Sequence, residues 1–84
     1  MHTGRAFVHT VMQTHVVANI RAELARRGKT QEDLAEALGI ARQNISQRLR
    51  NRVSFRIEEL QAVADFLGIP IADLLINHES EASA

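Results

Sequence analysis

The stretch from Thr30 to Leu49 constrains this chain more than any other, because it dictates two short helices with a sharp turn between them. Thr30 followed by Asp33 is a capping pattern: the Thr hydroxyl can accept from an orphan amide, and Glu32 and Asp33 favour the positive end of the helix. Leu34, Ala35 and Leu38 then fall on one face at helical spacing, and Gly39 supplies the left-handed backbone that turns the chain. A helix of about eight residues is expected. Beyond the turn, Ile45 and Leu49 sit at i and i+4 and anchor a second helix to a core. Arg42, Gln43, Ser46, Gln47 and Arg50 are left pointing elsewhere.

The remaining segments are also helical in pattern. A helix is expected over residues 14–27, with Val16, Val17, Ile20 and Leu24 inward, Arg26 and Arg27 at its negative end and Gly28 stopping it. Asn51 to Ser54 read as a loop. A helix over Ile57 to Leu67 follows, with Glu58 and Glu59 in its first turn, Gly68 after its last, and an apolar stripe of Ile57, Leu60, Ala64 and Leu67. Pro70 suits the first turn of a last short helix through Leu75 or Ile76. No strand-like alternation or internal repeat appears. The expected fold is all-α: a compact five-helix domain over residues 14–76, an N-terminal extension over 1–13 and a polar, fraying tail over 77–84.

Composition sets the bounds. The chain has 84 residues, 45% of them hydrophobic, which is enough for one small domain with a modest core and no need of metal or disulfides. Cysteine is absent, in keeping with a reducing, intracellular setting. The apolar residues between Ala6 and Met12 are too few, and too often interrupted by His and Thr, for a signal-peptide core or a membrane span, so a cytoplasmic location is expected. Net charge is zero but unevenly placed. Residues 1–41 hold five basic and four acidic groups, residues 42–56 hold five arginines and no acid, and residues 57–84 hold six acids and no base. Such a dipolar chain presents one face to a phosphate backbone and turns the other away. The five side chains released from the second helix can all hydrogen-bond a base edge or a phosphate.

The ordering Ile20-Arg21, Gly28, Thr30-Gln31, Ala35, Gly39, Ile45-Ser46, Glu59-Leu60 and Leu67-Gly68-Ile69 resembles the lambda-repressor-like helix-turn-helix family of phage Cro proteins and repressors. The resemblance covers residues 14–76. It implies that Gln31, opening the second helix, binds a phosphate, and that Arg42, Gln43, Ser46 and Gln47 read bases. Side-chain chemistry agrees, since Arg pairs with guanine, Gln with adenine, and Ser more loosely. Asn44, Arg48, Arg50, Asn51 and Arg52 border the reading helix and suit phosphates, which position a protein without reading sequence. Three positions depart from the family pattern. Ala41 stands where a Ser or Thr cap is common, which weakens the third helix by about 1 kcal/mol. Lys29 replaces an apolar residue, and Asn51 replaces a glycine, although Asn tolerates a left-handed turn.

Phe7, Val8, Val11 and Met12 recur at i, i+1, i+4 and i+5, which fits an extra helical turn that either covers the domain's own core or pairs two subunits. His2, His9 and His15 do not share one helical turn, and no metal site is expected. Nothing points to an enzyme. There is no cysteine nucleophile and no glycine-rich phosphate cradle, and the acidic pairs Glu32-Asp33 and Glu58-Glu59 diverge around their helices. The resemblance implies a sequence-specific transcriptional regulator, a phage or prophage repressor or Cro-like protein. It would occupy a double-stranded DNA operator and block transcription, as a homodimer at least on DNA, with no cofactor, small-molecule ligand or membrane partner. With no second domain for sensing or self-cleavage, control is expected through concentration, a partner or turnover. The alternative is an antitoxin-type protein that binds a toxin, for which the acidic C-terminal half offers a surface, and represses its own promoter.

Overall fold

The computed structural model describes residues 15–76, which form five helices and no strand. Residues 15–26 make α1, Gln31–Leu38 α2, Arg42–Leu49 α3, Ile57–Leu67 α4 and Ala72–Leu75 α5. The order is the one expected, and α2 has the expected eight residues. Thr14 and the extension residues Phe7, Val8, Val11 and Met12, with His2, His9 and the tail from 77 onward, lie outside the described residues.

Every helix sends at least one side chain to the same centre. Ile20 of α1, Leu34 of α2, Ile45 and Leu49 of α3, Val63 of α4 and Leu74 of α5 are the largest fully buried groups, and Val16, Val17, Leu24, Leu60 and Leu67 surround them. Helices this short are marginal alone, so their stability comes from sharing this core. Gly39 makes the turn after α2 at φ +68°, a left-handed conformation that costs other residues, and its N–H donates to the carbonyls of Ala35 and Glu36. The polar tie across the fold is Asn19. Its buried Nδ2 donates to the carbonyls of Leu74 and Ile76, both at 2.8 Å, which satisfies the open C-terminal end of α5 and fastens it to α1.

One expectation needs correction. The buried face of α4 is Leu60, Val63, Ala64 and Leu67, while Ile57 is 70% exposed. As the first helical residue Ile57 projects beyond the core, and the apolar group that closes this end is Phe55, two residues upstream and buried. Lys29, a misfit by the family pattern, has a partner: its Nζ lies 5.9 Å from the centre of the Phe66 ring, within reach of a cation–π attraction. Among the described residues no helix is long and apolar enough to cross a membrane.

Candidate nucleic-acid interface

The two helices of the turn motif are held in different ways. Thr30 Oγ1 accepts from the Asp33 N–H at 3.0 Å, and Asp33 Oδ2 accepts from the Thr30 N–H at 2.9 Å. This reciprocal cap uses two amides that would otherwise lack partners, and these hydrogen bonds, the backbone one first, hold the Asp33 carboxyl below its ordinary range. The cap places Gln31 as the first residue of α2, half-buried and next to α3.

Helix α3 has no side-chain cap at Ala41, as its sequence foretold. Its other end is tightened by backbone bonds: the Arg50 N–H donates to the Ser46 and Gln47 carbonyls at 3.1 and 3.3 Å, and the Arg52 N–H reaches the Gln47 carbonyl at 3.0 Å. Asn51 makes this possible at φ +63°, taking the left-handed turn that Asn tolerates. From α1, Arg21 Nη2 donates to the Leu49 carbonyl at 2.8 Å.

Between α2 and α3 runs an open groove of about 970 Å³. It is lined by the four expected base readers, Arg42, Gln43, Ser46 and Gln47, together with Gln31 and Arg50, and by Thr30 and Glu32. The structure thus brings Gln31, eleven or more positions away in sequence, onto the surface that carries the reading side chains. Arg42, Arg50 and Arg52 are exposed and make no ion pair with an acid among the described residues. Asn44, Asn51 and Arg52 are exposed outside the groove lining.

Arg48 is placed differently. Its Nε and Nη2 donate to Glu59 Oε1 and Oε2 at 3.0 and 3.1 Å, and Nη1 donates to the Asn44 carbonyl at 3.1 Å. Burial alone would raise the Glu59 carboxyl; the Arg48 hydrogen bonds, the Arg56 N–H at 2.9 Å and the charges of both arginines outweigh it and hold the group low. Arg26 and Arg27, at the end of α1, both pair with Glu23. Among the described residues no three His, Cys, Asp or Glu side chains converge as a metal site.

A helix-turn-helix family model matches residues 20–74, most of the chain and all of this geometry. The chain belongs to the lambda-repressor-like helix-turn-helix family. It is therefore a DNA-binding transcriptional regulator by class. Among solved structures it is similar to a hypothetical transcription factor, NHTF, from Neisseria, with 24% identity, a TM-score of 0.77, and coverage of 86% of this chain and 83% of that one. At that identity the likeness is one of fold. No curated protein sequence matches this chain.

For a helix-turn-helix protein, three residues here went unassigned from sequence. Glu32 puts a carboxylate in the groove, where it repels phosphate and can accept only from a base-edge donor such as the cytosine amino group. Arg21 and Glu59 hold α3 from other helices. Glu32 was detectable as the neighbour of Gln31; the other two act across 28 and 11 residues, with no local signal.

Proposed function

We propose that this regulator is a phage or prophage repressor or Cro-like protein that occupies an operator and blocks transcription from within the cytoplasm. The observation that carries this reading is the single groove in which Arg42, Gln43, Ser46 and Gln47 stand beside Gln31 and Arg50. Arg42, Gln43, Ser46 and Gln47 read base edges. Gln31, Asn44, Arg50, Asn51 and Arg52 serve the phosphates, and the acids that balance the arginines lie mostly in the C-terminal third. Two copies bind together, joined through Phe7, Val8, Val11 and Met12, so that reading helices about 34 Å apart meet successive major grooves.

Selection of binding sites from random DNA tests the reading directly, because both half-site and symmetry emerge from one experiment. On the selected site, Arg42→Ala, Gln43→Ala or Gln47→Ala should each cost about 1–3 kcal/mol while non-specific binding holds. Equal losses on selected and random DNA for all three reject base reading.

A further inference from the structure

Helix α3 rests on the core through two side chains, Ile45 and Leu49, which are one turn apart and so define a single line along its buried side. A helix held along one line can roll about it. With side-chain tips about 5 Å from the axis, a roll of about 10° moves a reading group by about 1 Å, enough to spoil a two-pronged hydrogen bond to a base. Ala41 gives no side-chain cap to resist this at the N-terminal end.

Arg48 supplies a tie off that line. At about 100° per residue it sits about 60° from Ile45, on the side away from Ser46. Its planar fork meets both carboxylate oxygens of Glu59, and its third nitrogen is held by the Asn44 carbonyl of its own helix. The two side chains are only 15% and 16% exposed. Glu59 is itself fixed, because Oε1 also accepts from the Arg56 N–H that opens α4. Glu59 does not line the groove.

We propose that Glu59 is a positioning residue for DNA reading: through its bidentate pair with Arg48 it sets the roll of α3 on the core, and so governs how sharply the protein separates its operator from other DNA. This rests on the DNA-reading assignment above, and it moves Arg48 from the phosphate-binding set into the support of the reading helix.

The rival role for Arg48, a phosphate ligand held in reserve, makes a prediction of opposite sign. If Glu59 merely sequestered the guanidinium, Glu59→Gln would release it, remove a negative charge, tighten binding to every DNA and steepen the salt dependence. As a positioning residue, Glu59→Gln instead lowers the ratio of operator to random-DNA affinity roughly tenfold, within the range for groups in one hydrogen-bonded network, and leaves the salt slope unchanged. Arg48→Gln does the same, and the double variant is no worse than either single one. Glu58→Gln, which removes the same charge from the neighbouring exposed position, leaves the ratio intact.

Amide hydrogen exchange of the free protein is the second readout. In Glu59→Gln, exchange quickens in α3 more than in α2, whatever DNA the protein binds. Should that variant unfold, Glu59→Asp, which keeps the charge but shortens the reach, carries the same comparisons. Tighter binding to both DNAs, an equal effect of Glu58→Gln, or unchanged exchange in α3 overturns the proposal. A wild type that selects no sequence overturns the DNA reading beneath it, whereas selective wild-type binding with an unchanged ratio in Glu59→Gln overturns the positioning role alone.

Discussion

Helices α2 and α3 have eight residues each and lie side by side, yet they are stabilised by opposite means. Helix α2 is complete within its own stretch of sequence: Thr30 and Asp33 close its beginning, Gly39 closes its end, and Leu34 and Ala35 give it a buried face. Helix α3 has no such cap, and its neighbours hold it through Arg21, Glu59 and the core around Ile45 and Leu49. The difference follows from the surface each must present. Arg42, Gln43, Ser46 and Gln47 of α3 line the groove and its cap position holds Ala41, so much of its support comes from side chains outside that surface.

Four measurements can break or sharpen this contrast. The largest effect belongs to the core, where α2 and α3 should behave alike. Leu34→Ala and Ile45→Ala both empty fully buried sites and should each cost about 2–5 kcal/mol in denaturant unfolding. A loss well under 1 kcal/mol for Ile45→Ala would mean that α3 is not seated on the core as described. The caps come next. Thr30→Ala should cost about 1 kcal/mol, because α2 depends on that hydroxyl. The corresponding change at the head of α3 runs the other way: Ala41→Ser should gain about 0.5–1 kcal/mol in the same assay, since it supplies an acceptor where none exists. No gain would show that the open end of α3 is already satisfied.

The weakest expected signal is in pH. Asp33 in the α2 cap and Glu59 beside α3 are both held below their ordinary values in the folded chain. A carboxyl lower in the folded than in the unfolded state contributes fully above its unfolded pKa, and loses that contribution as pH falls through the folded one. Stability should therefore be level from neutral pH down to about 5 and decline below about 4. Glu59→Gln should remove the part of that decline that reports on α3, read as amide exchange in α3 on acidification, and leave the part that reports on α2. Identical acid profiles for both helices in the variant would erase the distinction between local and borrowed support.

What the sequence determined by itself lies within one or two turns of chain. The boundaries of α2, its cap at Thr30 and Asp33 and the left-handed Gly39 follow from interactions between residues three to five apart, so spacing and residue type suffice to read them, while the uncapped Ala41 and the turn at Asn51 are legible through the resemblance to the family pattern. The gathering of Arg42, Gln43, Ser46 and Gln47 on one surface is legible for the same reason, because one helix carries them all. Periodicity misled at Ile57, where an apolar residue at helical spacing projects past the end of the core while Phe55 fills it. Only the tertiary structure decided which polar groups are spent inside the protein. Arg48 looked like one more guanidinium of a basic stripe until the fold brought Glu59 against it, and Asn19 gave no sign that it would fasten the end of α5. Such pairings depend on where separate helices pack. That is set by the shape of the whole core, and no short stretch of sequence contains it.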